Sequence, residues 1–251
     1  MILATVNQKG GVAKTTSTIN IASIIATEFH KKVLLIDNDP QANLTFGVDF
    51  AKDNYISVYD LLLGDASVNE AIYQTKYDNL DLIPSSIQLA NAELQLAAEM
   101  DRERLMKYEL SNDALSKYDY VFIDCSPSLG LLTVNAMVAA DKLLIPLNPD
   151  AFSLDGVNYL MSTVQKVHNK MNPNLDIAGV YITNVDSREK IDSFKDQVTD
   201  IFGERVFENI VNSYKVIRDS QQVGEPVHVY DSSHKAAKQY ISLAKELVNR
   251  V

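Results

Sequence analysis

A doubly wound α/β domain, with a mostly parallel sheet flanked by helices on both faces, is the fold this sequence predicts. Three observations predict it. Short apolar runs alternate with longer helical patterns along the whole chain. Most of those runs are nearly all apolar rather than alternating, as strands covered on both faces require. The first run feeds a glycine-containing loop that opens directly into a helical pattern, an arrangement that gathers backbone N–H groups around an anion.

Taken in order, the apolar runs predict strands over 2–6, 33–36, 80–83, 120–123, 142–146 and 177–183, with a further strand over 206–210. Helical patterns fall over 15–29, 57–74, 86–117, 130–140, 153–171, 188–202 and 234–250. There is no internal repeat, low-complexity stretch or Gly/Ser linker, so residues 1–251 are expected to form one domain. In such a sheet the active site lies beyond the carboxyl ends of the strands.

Composition narrows the function classes. With 251 residues and 46% hydrophobic content the chain buries a full core. No run approaches the ~18 consecutive apolar residues of a membrane span. A strand begins at once, so no signal peptide is expected, and the single cysteine, Cys125, excludes an intrachain disulfide. A cytoplasmic protein is the simplest expectation. The net charge is −10, carried unevenly: residues 1–185 hold 13 Lys/Arg against 22 Asp/Glu, residues 186–251 hold 10 against 11. A nearly neutral last quarter permits a local basic surface there without establishing one.

The loop after the first strand reads Asn7-Gln8-Lys9-Gly10-Gly11-Val12-Ala13-Lys14-Thr15-Thr16. Between a strand and a helix N-terminus it reads as a phosphate-binding loop, with Lys14 on the β- and γ-phosphates and the Thr15 hydroxyl on Mg2+. Two glycines of the ordinary pattern are missing: Gln8 and Ala13 stand in their places. Glycine serves where the backbone needs positive φ or close approach to a ligand. Alanine at 13 therefore predicts a negative φ there, with one methyl accommodated beside the phosphates.

Two further strands end in carboxylates. The second runs into Asp37-Asn38-Asp39-Pro40-Gln41, and residues two apart on an extended backbone point the same way; a polar turn closing the strand is the plain alternative. The fourth ends Phe122-Ile123-Asp124-Cys125-Ser126-Pro127, which places Asp124 to hold Mg2+ directly or through its water. No Asn-Lys-x-Asp guanine signature appears, so ATP is favoured over GTP. The sixth ends in Asn184, which either contacts adenine or caps the next helix.

Lys-Gly-Gly-Val-Ala-Lys-Thr-Thr over 9–16 resembles the deviant Walker A motif of the ParA/MinD family of P-loop ATPases, and Asn-Gln-Lys-Gly-Gly looks most like its ParA/Soj partition branch. The resemblance runs almost the full length and is strongest over 5–20, 33–45, 82–92 and 119–137. It implies that Lys9 reaches across a dimer interface to the nucleotide of the other subunit, and that Asp39 positions the attacking water. The catalytic set would then be Lys9, Lys14 and Asp39. The loop from Lys9 through Gly10, Gly11, Val12, Ala13, Lys14, Thr15 and Thr16, with Asn184, would bind nucleotide. Thr15, Asp37 and Asp124 would surround the metal, Asp37 in a supporting role near Mg2+ or Lys14. The segment after Asp124 is either a switch near the dimer face or a plain strand-to-helix turn.

The resemblance further implies an ATP-bound homodimer that binds DNA without sequence preference and is released when a ParB-like partner stimulates hydrolysis. Such a protein is cytoplasmic and nucleoid-associated. Candidate phosphate contacts are Arg188, Lys190, Lys195, Lys215, Arg218, Lys235 and Lys238, although lysines on helices are often just solvated. With the loop beginning at residue 8, no N-terminal helix-turn-helix domain is expected. The alternative function is a MinD-like positioning ATPase acting on a membrane or protein cargo. Against a membrane role, the stripe Tyr240, Leu243, Ala244, Leu247, Val248 and Val251 follows a capping Asp-Ser-Ser and reads as a core helix. A metabolic ATP-dependent enzyme, such as a dethiobiotin synthetase relative, is a third reading without identifiable substrate residues.

Overall fold

The computed structural model describes residues 1–111, 113–150, 153–186 and 191–251. Its elements in chain order are β1 (Ile2–Thr5), α1 (Lys14–Thr27), β2 (Val33–Asn38), α2 (Asn43–Gly47), α3 (Val58–Leu62), α4 (Val68–Ala71), β3 (Tyr73–Gln74), β4 (Leu80–Ile83) and α5 (Ala92–Gln95). There follow α6 (Leu105–Leu110), β5 (Tyr120–Cys125), α7 (Leu131–Ala139), β6 (Lys142–Leu147), α8 (Ser153–Lys170), β7 (Asp176–Ile182) and α9 (Ile191–Phe202). The last are α10 (Lys215–Gln222), α11 (Val227–Tyr230) and α12 (Lys235–Arg250). Seven strands pair in the order β3-β4-β2-β5-β1-β6-β7. All pairings are parallel except that of β3 with β4.

The apolar strands divide their side chains between two cores. Ala4, Leu34, Ile36, Val121, Ile123, Leu143 and Ile145 face one layer of helices. Leu3, Val33, Leu35, Tyr120, Phe122 and Leu144 face the other, which α1 and α12 cover. This two-sided burial is the doubly wound arrangement expected. The chain winds from β1 toward β2 on one side and from β6 toward β7 on the other, so the loop after β1 sits at the reversal of strand order, where such sheets bind ligands. Tyr240, Leu243, Ala244 and Leu247 of α12 are buried in the second core. The apolar stripe of the last helix is thus consumed by the fold. Among the described residues no helix is long and apolar enough to cross a membrane.

Three expectations are corrected. The strand expected over 206–210 does not form. Phe207 N–H donates to the Val180 carbonyl at 2.8 Å and Val211 N–H to that of Ile182 at 2.9 Å, so four residues pass alongside two and the ladder cannot run in register. Two of the N–H groups left over, those of Glu208 and Asn209, turn instead to the Glu246 carboxylate on α12, at 2.8 and 3.1 Å. A Cβ on Gly179 would lie 1.7 Å from the Phe207 ring, so this crossing needs the glycine. The helix expected over 57–74 is two short helices, begun by separate capping boxes, Ser57 with Asp60 and Ser67 with Glu70, and followed by β3. Between them Gly64 takes a positive φ of 75°. The segment 86–117 is likewise broken, with Asp101 at φ 54° between α5 and α6. The short α2, α10 and α11 lay below the length at which apolar spacing is legible.

Candidate functional site

The carboxyl end of β1 delivers the chain into a loop whose carbonyls are occupied. Lys14 Nζ donates to the Lys9 carbonyl at 3.0 Å, Asn184 Nδ2 to that of Gly11 at 2.9 Å and Thr183 Oγ1 to that of Val12 at 3.0 Å. Asn7 shapes the entry, with Nδ2 donating to the Pro146 carbonyl and Oδ1 accepting from Lys9 N–H. These carbonyls are thus taken up by donors of the protein, and Gly10, Gly11, Ala13, Lys14, Thr15 and Thr16 line a cavity. A Cβ at Gly10 or Gly11 would meet no atom within 4 Å, which leaves the cradle open for phosphates. With the N-terminus of α1 beneath it, this loop fits a triphosphate.

Ala13 overturns one expectation. Its φ is 59° and its ψ 34°, left-handed rather than negative. From that conformation its carbonyl accepts from Ser17 N–H at 2.9 Å as α1 starts. An L-residue held there costs roughly 1 kcal/mol that glycine avoids. Ala13→Gly is therefore expected to stabilise the fold by about 1 kcal/mol, raising Tm by ~2–4 °C in a chain of this size. A thermal melt showing no rise would mean that the strain is absent.

A candidate metal site lies between the start of α1 and the end of β5. Thr15 Oγ1 donates to Asp124 Oδ2 at 2.6 Å, while Asp124 Oδ1 is buried with no hydrogen-bond partner. Burial, with Asp37 alongside, holds the Asp124 carboxyl well above the usual carboxylate range. An orphaned carboxylate oxygen beside a threonine hydroxyl fits Mg2+, which coordinates oxygen and takes its remaining ligands from water and phosphate. Among the described residues no three His, Cys, Asp or Glu side chains converge to cage a metal. Lys14 is also buried, and desolvation lowers its pKa against the pull of Asp124, Cys125 and Asp39. Its ammonium lacks a full counter-charge, which favours an incoming anion.

Asp37 and Asp39, on either side of the last residue of β2, have different surroundings. Asp39 lines the cavity, opposite the loop and near Gln41, Asn43 and Phe46. Asp37 is fully buried behind it. Its Oδ1 accepts from Asp39 N–H at 3.2 Å, and its Oδ2 accepts from Thr45 N–H at 2.8 Å and Thr45 Oγ1 at 2.7 Å. Burial pushes its pKa up to about 6 against those hydrogen bonds. It also stands in register with Asp124 on the neighbouring strand, beside the candidate metal site.

Lys9 is about a third exposed and forms an ion pair with Asp150, which follows β6. Asn184, at φ 53°, spends its amide on Gly11 and lines a second cavity continuous with the loop, together with Tyr214, Ile217, Arg218 and Gln221. Arg218 thus stands beside the nucleotide loop instead of on a remote face. Of the other basic candidates, Lys215 pairs with Asp219 at 3.6 Å, Lys195 reaches the Glu208 carbonyl, and Lys235 and Lys238 are exposed at the start of α12. Arg188 and Lys190 lie outside the described residues. α9 also exposes Asp192, Asp196 and Asp200 at helical spacing, which breaks up any basic surface there. Sequence reasoning missed Asp150, Thr45 and Gln221, whose Nε2 donates to Thr16 Oγ1; each comes from a segment without a motif.

The sequence profile of the AAA domain matches residues 1–177. The chromosome-partitioning ATPase Soj of Treponema pallidum (strain Nichols) is 41% identical over 249 residues, 99% of this chain and 97% of the relative. The chain belongs to the Soj/ParA family of partition ATPases. The chromosome partitioning protein ParA of Caulobacter vibrioides (strain NA1000 / CB15N) is 36% identical over 252 residues, covering 99% of this chain and 94% of that one. Among solved structures, cobyrinic acid a,c-diamide synthase from Mycobacterium smegmatis with a bound ATP analogue and magnesium superposes with a TM-score of 0.82 at 34% identity, covering 99% of this chain and 94% of that chain. In this ParA-family chain the departures at Gln8 and Ala13 leave the loop, its lysines and its metal-side carboxylate in place.

Proposed function

We propose that this chain is an ATP-driven DNA-partition ATPase that works as a nucleotide-bound homodimer. One observation carries the reading: Lys14, Thr15 and Asp39 line one cavity at the carboxyl edge of the sheet, with Asp124 bonded to Thr15 and Lys9, in the same loop as Lys14, paired with Asp150. Lys14 and the loop N–H groups hold the phosphates, Thr15 and Asp124 hold Mg2+, and Asn184 braces the loop beside the pocket for the base. The metal supplies charge neutralisation at the γ-phosphate. Asp39 orients water from the wall facing the loop. In the single chain Lys9 is held by Asp150; in the dimer its ammonium passes to the partner's phosphates, so the two copies close face to face only around ATP.

The closed dimer binds DNA without sequence preference, through Lys235 and Lys238 on α12 with contributions from Arg188, Lys190, Lys195, Lys215 and Arg218. A ParB-like protein stimulates hydrolysis and releases it, which makes the protein cytoplasmic and nucleoid-associated. The test is retention on long duplex DNA. It is expected with Mg-ATP and absent with ADP, and it should weaken steeply with salt, the log–log slope being about −0.9 per phosphate neutralised. Lys235→Glu with Lys238→Glu should reduce retention without changing ATP affinity. Equal retention with ADP, or none with ATP, contradicts the reading and leaves a protein-cargo positioning role in its place.

A further inference from the structure

We propose that Thr45 is a positioning residue for hydrolysis: its hydroxyl fixes the Asp37 carboxylate, and that carboxylate fixes the backbone of Asp39. The proposal rests on the water-orienting role given to Asp39 above. The geometry is directional. Thr45 Oγ1 accepts from Ser85 N–H at 3.0 Å, and that partner can only donate, so the hydroxyl proton points to Asp37 Oδ2 at 2.7 Å. Thr45 N–H reaches the same oxygen at 2.8 Å. With Oδ2 pinned twice, the carboxylate plane is set, and Oδ1 is presented to Asp39 N–H at 3.2 Å.

Asp39 is held again from the other side, its Oδ1 accepting from Gln41 N–H at 3.0 Å and its carbonyl accepting from Ala42 N–H at 2.9 Å. Ala42 takes a left-handed φ of 53°, so the turn carrying Asp39 is not a relaxed one and needs its two ends fixed. One end is Asp37 in the sheet. The other is Thr45, 2% exposed, on a helix anchored to α1, where a Cβ on Gly47 would meet the Ile19 side chain at 2.4 Å. The hydroxyl of Thr45 joins these ends and ties them to the loop after β4.

Thr45→Val keeps the shape and removes both the donor to Asp37 and the acceptor for Ser85, whereas Thr45→Ser keeps both. Thr45→Val is expected to lower kcat about tenfold, as small misplacements at a reacting centre do, with Mg-ATP affinity unchanged within about twofold. Thr45→Ser should stay within about threefold of the parent rate. In an Asp39→Ala background Thr45→Val should add no further loss, since it acts through Asp39. A parent-like kcat for Thr45→Val, an affinity loss matching the rate loss, or the same tenfold loss without Asp39 would each overturn the proposal. Should the valine variant fail to fold, Thr45→Cys, with a weaker donor of similar size, should give an intermediate kcat; a parent-like value contradicts the role. If Asp39→Ala itself hydrolyses normally, both readings fall; if only Thr45→Val does, the Asp39 role stands alone.

Discussion

Replacing Lys14 by alanine is expected to weaken Mg-ATP binding severely while the chain remains folded. Lys14 Nζ lies 3.0 Å from the Lys9 carbonyl, in the loop where the phosphates enter, and its burial lowers its pKa. Removing one partner of a buried, hydrogen-bonded charge pair costs about 2–5 kcal/mol, which is roughly 30-fold to more than 1,000-fold in affinity. The apo fold should not suffer in proportion, because the same burial makes the ammonium costly to keep without an anion. Calorimetric titration alongside a thermal melt separates the two effects. Affinity within threefold of the parent would remove Lys14 from the phosphate site; a collapsed melt would make it a structural residue.

Asp39→Ala is expected to bind Mg-ATP as the parent does and to lose hydrolysis by two to four orders of magnitude, the range a positioned acid–base group contributes (~10²–10⁴). Asp39 lines the cavity facing Lys14 and Thr15 but bonds to neither; its partners are its own turn and Asp37. Loss of the carboxylate should therefore spare the binding loop. Phosphate release at saturating nucleotide is the measurement. Hydrolysis at the parent rate would mean that another group orients the water.

Much of this site was legible in the sequence because its parts sit at strand ends. A nearly all-apolar run followed by a glycine loop or an aspartate states where a strand stops and what it presents, so β1 with Lys14 and Thr15 and β5 with Asp124 were readable directly. The hydrogen bonds that Asp37 receives from Asp39 N–H and Thr45 could not be read, because they depend on α2 folding back onto the end of β2. Ala13 was misread for a different reason. Residue type sets the cost of a left-handed φ, but whether one is adopted depends on how the loop meets α1. The segment 206–210 has strand composition, yet Glu246, far along the chain, takes two of the N–H groups that a ladder would use. Asp150 and Thr45 carry no local signal, since their roles exist only once β6 and α2 are brought to the loop.

The sharing of nucleotide between two copies is tested most directly by solution mass from light scattering, with Mg-ATP and with Mg-ADP, on the Asp39→Ala chain and on the same chain carrying Lys9→Ala. The account predicts twice the 27.9 kDa chain mass with ATP, a single chain with ADP, and a single chain with either nucleotide once Lys9 is lost. A single chain throughout with ATP bound, or doubling that persists without Lys9, would contradict a nucleotide shared between two copies.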